Sequence, residues 1–458
     1  MNLFTIAWKN LKQRSLASVL TMVSVALGVA LMVTVLVLHG VIGKMFSQSG
    51  TGYDLIIGPQ GSETQLVLST VYRIDKPIEN LPWRYYLQWK DDPRVDLAIP
   101  FCFGDTTNEG NFPVIGTSPQ FFKAPYARTP EPQQFRVWNP GDFLQGTWDA
   151  VIGAEVARKN QWGIGSQFQL LHGGNTEDGH VHDEKFTVKG VLKPTGTPND
   201  RCVFVHVDGF FLLAGHEKPL IEAIQREALF FAEDINGLKE KYKAELAHAA
   251  EDEAGGHDHA HHAHAVPDVA KEVTSILLVM KRDPTDQLAA TMSSLGIKQE
   301  LKKGMQAQAV NPIQVMSQIM SKLVGNLQTV LLFMTGLIIA VSGIGVFVSI
   351  YNSMAERRRE IAIMRALGAQ RTTVSMIILC ETVLLCVGGG LLGLVLGHGL
   401  VYVASPIIEA RSGLLLDPRA WSPYELVVVP ISIGLAILSG LIPSITAYRT
   451  DVAETLAN

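Results

Sequence analysis

The sequence predicts an α-helical membrane protein: four transmembrane helices, with a large mixed α/β extracytoplasmic domain inserted between helices 1 and 2. Three observations carry this. Residues 15–43 hold no Asp, Glu, Lys or Arg over 29 residues, which is enough to cross a bilayer as a helix. Three further apolar runs crowd the last third of the chain, residues 322–449. The long middle alternates short apolar pieces with Gly, Pro and Asn, the pattern of strands and turns. Composition agrees. A 458-residue chain that is 47% hydrophobic, with mean hydropathy +0.19, fits a few spans plus a sizeable aqueous domain. The net charge of -5 is mild. It hides an asymmetry, with basic residues beside the apolar runs and acids and histidines in the middle.

In chain order, residues 1–15 form a basic amphipathic start. Trp8 suits the headgroup level. Residues 16–43 are the first span. The apolar run exceeds the about 7–15 residues of a signal-peptide core, so it reads as an uncleaved anchor. Lys9, Lys12 and Arg14 place the N-terminus in the cytoplasm by the positive-inside rule. Residues 44–321 are then external. Residues 322–350 are the second span, and 351–373 a cytoplasmic loop with Arg357, Arg358, Arg359, Arg365 and Arg371. The third span is 374–403, the short outer loop 404–424, the fourth span 425–447 and the cytoplasmic tail 448–458. Each span must be helical, because an unpaired amide in hydrocarbon costs several kcal/mol.

Within the external region, residues 55–57 read as a strand and 58–61 as a turn. Residues 64–72 read as helix or strand. LPWRYYLQWK, residues 81–90, is either a surface patch for headgroups or a partner, or an aromatic core. Residues 94–122, 150–152, 185–193, 201–207 and 273–280 carry strands, with a turn at 194–199. Residues 152–160 and 286–295 read as short helices, and 219–249 as charged helix. Residues 306–321 read as a helical stalk into the second span. The four cysteines are no disulfide framework. Cys380 and Cys386 read as buried small hydrophobes. Cys102 and Cys202 share the outer compartment, and their pairing is left open by spacing.

The metal-like composition lies in residues 251–266, with His257, His259, His261, His262 and His264. His172, His180 and His182, with Asp178 and Asp183, form a second loop of similar type. Imidazoles bind zinc and other divalent transition metals. Two readings stand together: weak metal capture or sensing, and a solvated loop. There is no phosphate-cradling GxxxxGK[ST], no HExxH and no GxSxG. The chain is therefore read as a non-catalytic subunit with no intrinsic cofactor, and nothing points to nucleic acid. Gly389 and Gly393 stand at small-xxx-small spacing, which suits tight helix packing. Glu381, inside the third span, calls for a polar partner; structural pairing is preferred to proton transport.

Residues 355–370 read as an amphipathic helix. Ile361, Ile363, Met364 and Leu367 supply its apolar side. Glu356, Arg357, Arg359 and Glu360 supply its charged side, Arg365 recurs at helical spacing, and Gly368 is a C-cap. Its acids and its position between two spans favour a protein groove over a lipid surface.

ERRREIAIMRALGAQR, followed by a span with Glu381 and a Gly-rich part, resembles the FtsX-like permease domain of the MacB and lipoprotein-release type of ABC transporters. The tail, Pro443 with AYRTDVAETL, is similar to the family ending. The resemblance covers about 320–457 closely. It extends more loosely through DLIIGPQGS, AVIGAEVARKNQWGIGS and KFTVKGVLKPTGTPND. It implies a MacB-type periplasmic core domain for the external region and a multi-pass protein of the bacterial inner membrane. It implies a permease subunit, paired with a second permease copy or paralogue, carrying two copies of a separate cytoplasmic ABC ATPase that uses ATP and Mg. The work implied is lipoprotein release or export, or efflux-type transport, with a periplasmic lipoprotein or adaptor as a further partner. By resemblance, residues 356–371 are the coupling helix. The His-rich insertion departs from the common pattern. Two alternatives follow: a regulatory envelope scaffold activating a periplasmic partner or hydrolase, and metal-linked transport or sensing.

Overall fold

The computed structural model describes residues 3–48, 52–74, 76–128, 131–172, 180–213, 215–247, 266–282, 288–304, 306–319, 321–322, 325–412 and 423–449. His257, His259, His261, His262 and His264 lie outside these residues, as does Asp178. The chain divides into two units, residues 1–44 with 320–458, and residues 45–319.

Among the described residues of the first unit, four helices are long and apolar enough to cross a membrane: Ser15–Val37, Gly325–Glu356, Arg371–Ile407 and Glu425–Arg449. Apolar side chains face outward from the last three, among them Phe333, Val395 and Leu438, as a lipid-facing surface requires. Contacts between helices rest on small and hydroxyl residues. Ser439 donates to the Gly343 carbonyl at 3.0 Å, and Ser342 to the Ser24 carbonyl at 3.0 Å. Gly389, Gly393 and Gly397 form a line, one per turn, against the first helix. A Cβ at Gly393 would lie 2.6 Å from the Ala26 carbonyl oxygen, and one at Gly389 2.8 Å from Val25 Cβ. The amphipathic helix Leu3–Gln13 buries Ala7 and Leu11, one turn apart, and packs against the third long helix.

The second unit is a mixed α/β domain. Its strands are Leu55–Pro59 (β1), Leu81–Pro82 (β2), Val95–Thr107 (β3), Pro113–Thr117 (β4), Asp149–Ile152 (β5), Gln167–Phe168 (β6), Leu170–His172 (β7), His180–Val181 (β8), Phe186–Val191 (β9), Val203–His206 (β10), Glu272–Val273 (β11), Ser275–Met280 (β12) and Ala307–Val310 (β13). The main sheet runs β13-β1-β12-β3-β4-β10-β5-β9-β6, with β7 pairing both β3 and β8; β11 and β2 pair separately.

The central strands are buried on both faces, which explains their continuous apolar runs. Leu55, Ile57, Val203, Val205, Ile276 and Leu278 enter one core. Ile56, Phe204 and Leu277, one residue along, enter the other. The first core is covered by helices Trp83–Lys90 and Ala289–Lys302. The aromatic stretch at 81–90 is thus core, with Trp83, Tyr85, Tyr86 and Trp89 all buried. The second core is covered by helix Glu63–Val67, its continuation Leu68–Tyr72, and helix Pro312–Ile319.

One question left open by the sequence is settled, and one expectation is corrected. Cys102 belongs to the first core and Cys202 to the second; the sheet separates them, and both thiols are free. The turn at 194–199 leads from β9 to β10, which are not neighbours in the sheet, because β5 lies between them. The stalk expected at 306–321 opens instead with an edge strand, β13, paired to β1. Helix begins only at Pro312, where Asn311 Oδ1 accepts from the Gln314 amide at 3.1 Å.

Candidate functional site

Two side-chain constellations stand out, one in each unit. The first is built around the loop between the second and third long helices. The second helix ends at Glu356, and a short helix, Arg358–Ala366, follows. Arg357, at the break, is its N-cap residue, with a side chain only 13% exposed. Its guanidinium lies 3.5 Å from Glu381 and 4.0 Å from Glu360, and donates to the Asn10 carbonyl at 3.3 Å. Arg14 meets Glu356 at 2.5 Å. Arg357 therefore clasps three segments: the N-terminal helix, the short helix and the third span. Breaking a buried pair of this kind costs about 3–5 kcal/mol, because the partner charge is left behind.

The short helix turns Ile361 and Ala362 inward. Arg358, Arg359, Glu360 and Ile363 are exposed, Met364 and Arg365 are half-buried, and Leu367 is 84% exposed. Arg357 thus leaves the charged side assigned to it and faces the interior, while Ile363 and Leu367 leave the apolar side and face outward. The helix stops in a paired termination. The Gly368 amide donates to the Arg365 carbonyl at 3.1 Å, and Ala369 to Met364 at 3.0 Å. Gly368 sits at φ +100, in the left-handed region that favours glycine. A cavity of about 300 Å³ lies beneath, lined by Ile6, Ile350, Met354, Ile361, Ile377 and the Arg357–Glu381 pair.

The second constellation joins Asp105, His172, His182 and His216. Asp105 is on β3, at an inward position with its side chain 2% exposed. His172 ends β7, which pairs with β3 through Leu170 and Leu171. His182 follows β8; its amide donates to the Leu170 carbonyl at 3.0 Å, and its own carbonyl accepts from Gln169 at 3.0 Å. His216 sits in the turn after Phe211, its ring edge-on to Phe210 at 4.3 Å. His172 and His182 therefore belong to a paired hairpin, not the solvated loop expected of them. His180 lies opposite His172 in that hairpin, outside the cluster. Asp105 and His216 escape sequence reading. Their one signal is an acid at an inward position of an apolar strand.

His172 Nδ1 and His216 Nε2 each lie 2.9 Å from a different oxygen of Asp105, and His182 Nε2 lies 3.9 Å away. Only the His172 contact has hydrogen-bond geometry. Asp105 Oδ2, His216 Nε2 and both ring nitrogens of His182 are buried without a hydrogen-bond partner among the described residues. Each such orphan costs about 1–3 kcal/mol. Burial pushes the Asp105 carboxyl up, but the His172 and His216 imidazoles outweigh it and hold the group at about 2. The hydrogen bond to Asp105 raises His172, against its partial burial. Burial, with His216 nearby, lowers His182 to about 4, so it is a neutral imidazole at pH 7.

Comparison with known proteins places both units. Residues 332–452 match the FtsX-like permease C-terminal family, and residues 18–228 the MacB-like periplasmic core domain. An uncharacterized ABC transporter permease of Methanocaldococcus jannaschii is 24% identical over 99% of this chain and 97% of its own length. A macrolide export ATP-binding/permease protein, MacB, of Rhodopirellula baltica is 29% identical over 33% of this chain, which spans only 21% of that protein. The periplasmic region of MacB from Actinobacillus actinomycetemcomitans aligns over 59% of this chain and 94% of its own. That alignment has 11% identity and a TM-score of 0.32. The chain is a multi-pass inner-membrane protein with a large non-membrane domain.

Proposed function

Because this chain belongs to the FtsX-like/MacB-type ABC transporter permease family, we propose that it is the non-catalytic permease subunit of an ABC transporter. ATP hydrolysis by a separate cytoplasmic ATPase, present in two copies, drives conformational work in its periplasmic domain. A second copy of the permease, or a paralogue, completes the assembly. Residues 351–373 face the cytoplasm, and helix Arg358–Ala366 is the coupling helix.

One observation carries the reading. The short helix exposes Arg358, Arg359 and Leu367 while its opposite side is tied through Arg357 to the third span and the N-terminal helix. A partner that seats on the exposed side and moves must drag the clasped segments with it. Force then reaches long helices whose glycine and serine contacts transmit small shifts as rigid bodies. The cargo class is lipoprotein release or export, or efflux-type transport, with a periplasmic lipoprotein or adaptor as the outer partner.

The test is affinity purification in mild detergent with identification of the bound ATPase. Leu367→Glu and Arg359→Glu should each lower ATPase recovery and stimulated ATP turnover at least tenfold. Membrane insertion should be unchanged, because neither side chain is buried. Normal stimulated turnover in both variants would remove this helix as the docking element.

A further inference from the structure

We propose that Asp105, His172, His182 and His216 bind one divalent transition-metal ion of the zinc class in the periplasmic domain. The proposal stands apart from ATPase coupling and rests on this cluster alone.

The donor set comes first. Three imidazoles and one carboxylate suit Zn2+, Co2+, Ni2+ or Cu2+, and are poor for Ca2+ or Mg2+, which take oxygen ligands. Geometry comes second. The four donor atoms all lie within 4.8 Å of one another. A tetrahedral site with bonds of about 2.0–2.2 Å places its donors about 3.4 Å apart. Rotamer adjustments of an ångström or so therefore bring all four onto one ion.

The cluster also holds unspent hydrogen-bonding capacity. His182 is buried to 1% exposure, yet neither ring nitrogen has a hydrogen-bond partner among the described residues. His216 Nε2 and Asp105 Oδ2 approach to 2.9 Å without the alignment of a hydrogen bond. Buried polar atoms are nearly always paired. Asp105 Oδ2, His216 Nε2 and one ring nitrogen of His182 lie close together without aligning with one another, as ligands to a common ion would.

The scaffold is fixed as well. The ligands come from β3, from the β7–β8 hairpin and from the turn after Phe211, each held by backbone pairing. An ion would therefore cross-link three separate segments of the domain. His172 alone is open to solvent, at 57% exposure, and marks the side of entry.

The test uses the full chain purified in detergent, with His257, His259, His261, His262 and His264 all replaced by alanine so that they bind nothing. Co2+ alone is the first probe. One equivalent should bind and give the intense visible bands of a tetrahedral site. Zn2+ should displace it mole for mole and raise the thermal unfolding midpoint. His172→Ala should weaken Co2+ binding at least tenfold, and His216→Ala at least a hundredfold. Circular dichroism of the chelated variants controls for folding. If His216→Ala fails to fold, His172→Ala decides, since its exposed side chain contributes little to the core. Absence of stoichiometric binding, a weak octahedral spectrum, or unchanged affinity in His172→Ala overturns the proposal.

Discussion

Replacing Arg357 with leucine removes a guanidinium 3.5 Å from Glu381, a carboxylate residue only 6% exposed. At an effective dielectric of about 20 the pair attracts with about 5 kcal/mol before desolvation is counted. Losing one partner strands the other, at about 3–5 kcal/mol. Glu381→Leu strands Arg357 in the same way, though Glu360 at 4.0 Å and the Asn10 carbonyl soften the loss. Arg357→Leu with Glu381→Leu strands nothing, and burying two aliphatic side chains recovers part of the pair's contribution. The double variant should therefore be more stable than the sum of the singles by about 2–3 kcal/mol. Equilibrium unfolding of the purified chain by SDS titration in mixed micelles measures each arm of the cycle. Additivity within about 0.5 kcal/mol would show that the pair is solvated and refute the clasp. Under the coupling reading the double variant, although stable, should stay deficient in stimulated ATP turnover, since the link from the short helix to the third span is gone.

Three further outcomes follow from packing. Gly393→Val places a Cβ 2.6 Å from the Ala26 carbonyl oxygen, so the first and third helices must part. The expected loss is about 1–3 kcal/mol. Gly399→Ala, with nothing within 4 Å, should be neutral in the same SDS titration. Phe204→Ala empties a fully buried position on β10 and should cost about 3–5 kcal/mol. Urea unfolding followed by tryptophan fluorescence checks it, and a loss below 1 kcal/mol would contradict the two-faced core.

The sequence carries the architecture because spans and strands leave local marks. A stretch without charge over a bilayer's width has to be helical whatever surrounds it. Strand pieces such as VFV and SILLVM are apolar at consecutive positions because both sheet faces are covered. The order of one span, a large domain and three spans is therefore readable residue by residue, as is the family resemblance in ERRREIAIMRALGAQR. Helical spacing also marks residues 355–370, but it does not settle which side is buried. Arg357 looks like a surface charge in the sequence. It faces inward because Glu381, 24 positions on, waits for it in a neighbouring helix.

What only tertiary structure decides is which distant residues meet. His172 and His182 are visible in the sequence as metal-type side chains, but they share a loop-like stretch with His180 and two acids and look no different from them. Pairing of β7 with β3 selects His172, the backbone after β8 turns His182 inward, and the turn after Phe211 brings in His216. Asp105 completes the set from the middle of an apolar strand. The same holds for the thiols: Cys102 and Cys202 share a compartment by topology and are kept apart by a sheet. Local propensity and hydropathy are properties of a window of residues, so the sequence holds them outright. Coordination and ion pairing depend on separations of a few ångströms between segments far apart in the chain, and only the folded sheet and helix packing set those.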